Sequence, residues 1–171
     1  YIRGAGTNVF DIGADPSVAY FVNEIYQAGT AGLQPDLLDV ERIEVLKGPQ
    51  GTLFGRNTAA GAGSIITTRP EAEFNAWARG GVGTHKLFEV SAGVTGPLSS
   101  DDKLRFRLAA AHRERDGIVK DLTDGKNPGY LDNYSARGSL EYVVSSVTAL
   151  LSADIVRMRN GMTPQYITTA N

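Results

Sequence analysis

Residues 40–70 read V-E-R-I-E-V-L-K-G-P-Q-G-T-L-F-G-R-N-T-A-A-G-A-G-S-I-I-T-T-R-P, and this stretch decides the fold. Arg42 to Lys47 alternates, with Ile43 and Val45 on one side and Arg42, Glu44 and Leu46 on the other. That two-residue period belongs to a strand. Gly48-Pro49 stops it, because proline has no N–H to give a ladder and fixes φ. Glycines at 48, 51, 55, 61 and 63 make the connection a tight, turn-rich one. Ser64 to Thr68 is rich in β-branched residues and predicts a second strand, closed by Pro70.

Upstream, Ala5 to Pro16 is rich in Gly, Asn and Asp and reads as a loop. Ser17 to Ile25 (S-V-A-Y-F-V-N-E-I) predicts a strand, and Tyr26 to Gln34 a second loop. Pro35 to Asp39 reads as a short helix start: Asp36 can cap, and Asp39 suits the positive end of the helix dipole.

Downstream of about Phe74 the strands lengthen and alternate. Lys103 to Arg115 puts Leu104, Phe106, Leu108 and Ala110 on one face, against Lys103, Arg105, Arg107, Arg113 and Arg115 on the other. Lys86 to Thr95 sets Phe88, Val90, Ala92 and Val94 against Glu89, Ser91, Gly93 and Thr95. Asn133 to Tyr142 sets Tyr134, Ala136, Leu140 and Tyr142 against Asn133, Ser135, Arg137, Ser139 and Glu141. Phe74 to Gly83 is a strand with less contrast, and in Val147 to Asn160 Arg157 and Arg159 fall in line with Leu151 and Ile155. Each segment reaches the roughly 9–11 residues that a tilted strand needs to cross a bilayer. The connections alternate in length. Gly96–Asp102 and Val144–Ser146 are short, whereas Gly117–Leu131 is long and polar, as in barrels with short periplasmic turns and longer outer loops. The tight turn at Thr84-His85 is the exception at the outer end. A soluble β-rich interaction domain would also alternate, and the strands alone leave that alternative open.

The 171 residues include no cysteine and carry a formal net charge of −2. This excludes thiolate zinc sites and disulfides and gives no electrostatic footprint for nucleic acid. No run of about 18 apolar residues could form a membrane-spanning helix. His85 and His112 show no metal-ligand spacing, and Gly51–Thr58 lacks both the spacing and the lysine of a phosphate loop. Nothing pairs as a catalytic acid and base, so no enzyme and no cofactor is implied.

The stretch at 40–70 closely resembles the end of the plug domain of TonB-dependent outer-membrane receptors. Glu41, Arg42, Ile43, Glu44, Val45, Leu46, Lys47, Gly48, Pro49, Leu53, Phe54 and Gly55 match that family's pattern. Departures are Lys47 for a usual Arg, and Ala60, Gly63 and Ser64 in the glycine-rich run. Tyr1-Ile2-Arg3-Gly4 resembles the family's I-R-G strand end, and 17–25 its V-D-G-V strand, with Asn23-Glu24 in place of Asp-Gly. Glu24 suits a turn with positive φ poorly.

The resemblance implies a mainly β chain: a small α+β plug fragment over 1–70, then over 71–171 about five antiparallel strands of an incomplete transmembrane β-barrel. The chain opens in mid-pattern at Tyr1, which predicts an internal stretch of a longer protein. The resemblance further implies a bacterial outer-membrane location among lipid, and energy-coupled uptake of a scarce bulky solute: siderophore-iron, cobalamin or an oligosaccharide. The TonB energy-transducing complex would act through a segment before Tyr1. Ligand-contact candidates at the plug apex are Asn8, Phe10, Asp11, Tyr26, Gln27 and Thr30. Arg3, Glu44, Lys47 and Arg56 are candidates for a plug–barrel latch made of ion pairs.

Overall fold

The computed structural model describes residues 18–27, 38–49, 51, 55, 58–118 and 128–161. The chain divides into two compact units, 1–68 and 69–171. The I-R-G segment, the loop at 5–16 and residues 28–34 of the loop expected over 26–34 lie outside the described residues; Tyr26 and Gln27, expected in that loop, are strand, paired with Phe21 and Tyr20.

The first unit holds a four-stranded mixed sheet: β1 (Val18–Val22), β2 (Ile25–Gln27), β3 (Val40–Lys47) and β4 (Gly61–Thr67), in the order β2-β1-β4-β3. β1 runs parallel to β4, while β2 and β3 lie antiparallel to their neighbours. Among the described residues the core holds Ala19, Phe21 and Ala62, with Tyr26 and Leu46 packed against it. The Phe21 and Tyr26 rings meet edge to face at 5.8 Å.

Three further sequence expectations change here. The strand expected over 17–25 is broken by a hairpin turn, in which Asn23 and Glu24 take φ of 48° and 69°. Positive φ at both central residues matches the twist of paired strands, and the asparagine side chain repays it. Asn23 Nδ2 donates to Thr67 Oγ1 (2.9 Å), and its Oδ1 accepts from the Thr67 backbone N–H (3.0 Å). The second strand starts at Gly61 rather than Ser64, because Gly61, Ala62 and Gly63 pair on both sides, with Val18–Tyr20 of β1 and Val45–Lys47 of β3; the glycine at 63 makes room for the Tyr20 ring, 3.0 Å from where a Cβ would sit. Of the expected helix start at 35–39, the described Leu38 and Asp39 lie in a turn, with Asp39 at φ 57°. The Asp39 carbonyl accepts from both the Thr68 N–H (2.9 Å) and its hydroxyl (3.1 Å).

The second unit is one antiparallel meander: β5 (Asn75–Gly83), β6 (Leu87–Pro97), β7 (Leu104–Arg115), β8 (Leu131–Val144) and β9 (Val147–Asn160). These bounds fall within two residues of those read from the alternation, with β8 two residues longer at each end and β6 running on through Gly96 to Pro97. The sheet is open, with β5 and β9 at its edges. His85 and Lys86, with φ of 59° and 55°, make the tight turn between β5 and β6, and the Leu87 N–H bonds to the Thr84 carbonyl at 3.2 Å. At the opposite end, Asp101 in the β6–β7 turn accepts from Lys103 Nζ (2.7 Å) and the Ser99 hydroxyl (2.6 Å). Those two bonds pull its carboxyl down to about 2.

Trp77 lies directly opposite Gly93, and its ring covers that glycine. A Cβ at Gly93 would stand 2.7 Å from the indole, whereas one at Gly80 would meet only a backbone oxygen at 3.8 Å. Gly93→Ala should therefore cost about 1–3 kcal/mol through overpacking, and Gly80→Ala much less. Urea unfolding midpoints of the two variants check this; equal midpoints would show that the indole does not need the gap.

Candidate functional site

Strand registry in the second unit lines up residues in rows. One row runs Ala78, Ala92, Ala110, Ala136, Ile155; the next runs Ala76, Val94, Leu108, Gly138, Ala153. A third joins Gly96, Phe106, Leu140 and Leu151. All of these lie on one face, and that face is the exposed one: Leu108 is 53% accessible, Leu151 70% and Ile155 73%. The opposite face carries Arg105, Arg107, Arg137, Ser139 and Glu141, and its charges are the covered groups: Arg107 is 7% accessible and Glu141 5%. This inverts the arrangement of a protein that folds in water, where contiguous apolar patches of this kind stay small.

The polar face is held by cross-strand ion pairs between directly opposed residues. Arg113 Nε stands 3.5 Å from Glu89 Oε2, Arg105 Nη1 stands 3.6 Å from Glu141 Oε2, and Arg137 Nε bonds Asp154. Arg107 donates to Glu71 Oε1 at 3.0 Å. Four covered polar atoms on this face, Arg115 Nε, Asn133 Oδ1, Ser135 Oγ and Arg137 Nη1, have no hydrogen-bond partner among the described residues. Such atoms require water or another polar group.

The apolar face has limits. Beyond the alanine row come His112, Tyr134 and Arg157, then Glu114, Asp132 and Arg159. His112 stacks on Tyr134 at 4.0 Å and lies 3.4 Å from Asp132 Oδ1. At the other end Tyr142 sits in the row of Leu104 and Ala149. Tyr134 and Tyr142 thus bracket the apolar rows on β8. Eight residues at about 3.4 Å each separate them by roughly 27 Å along the strand, or about 20 Å once it tilts by about 40°.

Of the apex candidates, Tyr26 and Gln27 are described. Both are half-buried at the end of β2, with Tyr26 packed on Phe21 and Gln27 Nε2 donating to the Ile25 carbonyl at 3.2 Å. Asn8, Phe10, Asp11 and Thr30 lie outside the described residues, as do Arg3 and Arg56 of the latch set. Glu44 is exposed and receives Arg42 Nε at 2.8 Å; Arg42 also reaches Glu41. Lys47 is exposed at the end of β3 and has no ion pair among the described residues. The reading of the sequence did not single out Arg69, Glu71 or Thr95. Arg69 Nη1 lies 3.8 Å from Glu141 Oε1, and the Glu71 N–H donates to Thr95 Oγ1 at 2.9 Å. No local pattern signals these contacts, since each joins residues far apart in the chain.

Against known proteins, residues 1–62 match the family described as "TonB-dependent Receptor Plug Domain". The ferric-pyoverdine 358 receptor of Pseudomonas putida is 30% identical over 133 residues, covering 76% of this chain and 15% of that protein. The vitamin B12 transporter BtuB of Vibrio vulnificus is 34% identical over 92 residues, covering 53% of this chain and 15% of that protein. Among solved structures, the ferric yersiniabactin uptake receptor FyuA from Yersinia pestis superposes with a TM-score of 0.75 at 24% identity, covering 82% of this chain and 22% of that one. The chain therefore spans about a sixth of the length of these curated relatives. The family match, the curated relatives and the superposed structure all point the same way, and the chain belongs to the TonB-dependent outer-membrane receptors.

Proposed function

We propose that the chain carries the end of the plug and the first barrel strands of a receptor that takes up a bulky iron–siderophore complex across the outer membrane. The observation that carries this reading is the inverted sheet, with Leu108, Leu151 and Ile155 exposed while Arg107 and Glu141 are covered. Apolar side chains stand outward without penalty against hydrocarbon, and charges face a lumen. The solute class follows from relatives named for ferric pyoverdine and ferric yersiniabactin; another relative is named for vitamin B12. Uptake would be driven by the TonB complex. Family barrels have about 22 strands, so these five form one arc of the wall. In the full-length receptor in lipid, spin labels at 104, 106 and 108 should be quenched by a lipid-soluble reagent and those at 105 and 107 should not. Equal quenching at both sets would overturn the reading.

Within that reading the apex residues Asn8, Phe10, Asp11, Tyr26, Gln27 and Thr30 contact the ligand, since aromatic and amide groups suit a large polar solute. Tyr26 also packs on Phe21, so Tyr26→Phe together with Gln27→Ala tests contact without opening the core. Loss of a contact at a binding hot spot costs on the order of 1–2 kcal/mol. Titration with the cognate ferric siderophore at matched receptor abundance should show roughly five- to thirtyfold weaker binding; unchanged affinity removes this strand end from the site.

Arg3, Glu44, Lys47 and Arg56 remain the proposed plug–barrel latch. A buried ion pair that loses one partner costs roughly 3–5 kcal/mol, and a solvated one almost nothing. Arg3→Ala should therefore speed amide exchange over 40–47 and 61–67 while β6–β8 hold their rates. Unaltered exchange in the plug strands would make Arg3 an ordinary solvated charge.

A further inference from the structure

Between the two sheets the chain passes through Thr67-Thr68-Arg69-Pro70-Glu71. It is pinned on both sides of Arg69-Pro70. On one side Thr67 is bonded to Asn23, and Thr68 gives two hydrogen bonds to the Asp39 carbonyl. On the other side the Glu71 N–H bonds to Thr95 Oγ1 at 2.9 Å, and the same hydroxyl donates to the Phe106 carbonyl at 2.9 Å. The Glu71 carboxylate accepts from Arg107 at 3.0 Å. Resting on the receptor reading above, we propose that Glu71 is a fixed anchor. It would hold the chain to the polar wall of the meander, so that displacement of the plug turns on Arg69-Pro70 and does not lift Glu71.

The contacts differ in strength, and the difference decides where the chain gives way. Thr95 is 2% accessible and Arg107 7%. Pulling Glu71 off would strip an acceptor from a covered guanidinium and the incoming N–H from a covered hydroxyl, both costly where water does not replace them. Arg69 is different. Its side chain is 66% accessible, its distance to Glu141 is 3.8 Å, and Glu141 keeps Arg105 when Arg69 leaves. That limb is the weaker one, because Arg69 is solvated, the separation is long, and the covered Glu141 retains a cation without it. Pro70 has a fixed φ and confines Arg69 before it to extended conformations, which leaves the φ of Arg69 and the ψ of Pro70 as the softer torsions between the two pinned points. Hinges of this kind absorb a rotation in a few residues at the ends of elements.

The test is amide exchange on the full-length receptor in lipid, with increasing urea, comparing Glu71 with β3–β4 and with β7–β8. A fixed anchor keeps the Glu71 amide protected after 40–47 and 61–67 have lost protection. Thr95→Val should speed exchange at Glu71 by roughly three- to tenfold, the worth of one hydrogen bond, with Thr95→Ser restoring it. Should Thr95→Val fail to assemble, Glu71→Gln in its place should raise exchange at residue 71 severalfold while β7–β8 stay unchanged. Loss of protection at Glu71 in step with the plug strands overturns the anchor, as does an unchanged rate in Thr95→Val or, where that variant does not assemble, in Glu71→Gln. None of these outcomes depends on which solute is carried. The receptor reading itself fails separately, through the lipid-quencher result.

Discussion

The second unit depends on one constraint: a strand crossing hydrocarbon must satisfy its backbone within the sheet, because no water is there to do so. β8 meets that constraint on both sides, pairing with β7 from Leu131 to Tyr142 and with β9 from Leu131 to Val144. Once the ladder is continuous, the pleat sends alternate side chains to opposite faces. The composition of each face then reports its solvent. The face with Phe106, Leu108 and Ile155 has no charge along its alanine and leucine rows, and the face with Arg105, Arg107 and Glu141 has its charges matched across strands. The stability of the meander is thus conditional on its medium. In water the exposed Leu151 and Ile155 would be an unpaid hydrophobic surface, whereas in lipid they are already at home.

The first unit obeys the opposite economy. Among the described residues its buried apolar cluster is Ala19, Phe21 and Ala62, with Tyr26 and Leu46 packed against it. Side-chain hydrogen bonds join elements around that cluster. Asn23 bridges the β1–β2 turn to the end of β4, Thr68 ties that end to Asp39, and buried Thr58 donates to the Gly55 carbonyl at 2.7 Å. Polar pins of this kind are individually worth about 1 kcal/mol. Two of them meet at the end of β4 and the third lies in the connection before it, so the Thr58 bond can be broken without disturbing the other two.

Those two economies explain what the sequence disclosed. The meander was legible strand by strand, because one face of each strand is nearly free of charge and the other is not; even the anomalous alignment of Arg157 and Arg159 with Leu151 and Ile155 is real. The plug sheet was legible through a local motif, but its details were not. Asn23-Glu24 offers no glycine, yet turns with both φ positive because Thr67, some forty residues away, receives the asparagine. Gly61 to Gly63 lacks β-branched residues, yet is strand because β1 and β3 pair with it on both sides, and the Tyr20 ring covers the space Gly63 leaves. Arg69, Glu71 and Thr95 were invisible for the same reason: their meaning lies in registry across the sheet, not in spacing along the chain.

Arg157 and Arg159 also show where the membrane must stop. Glu114 and Asp132 are directly opposed across β7 and β8, a repulsive pairing in a sheet. Arg159 stands opposite Asp132 on the next strand, and His112 lies 3.4 Å from Asp132 and 4.0 Å from Glu114, so the pair is set among groups able to offset it. None of these groups belongs in hydrocarbon, where even one charge on the lipid side costs about 2–4 kcal/mol at mid-depth and far less at the interface. The band can therefore extend from Tyr142 to Tyr134 and no further. That leaves the Lys86–Asp116 pair (2.9 Å) in water beyond one edge, and Lys103 with Asp101 in water beyond the other. The depth of the sheet in the bilayer is fixed by where its charges begin, more sharply than by the length of its strands.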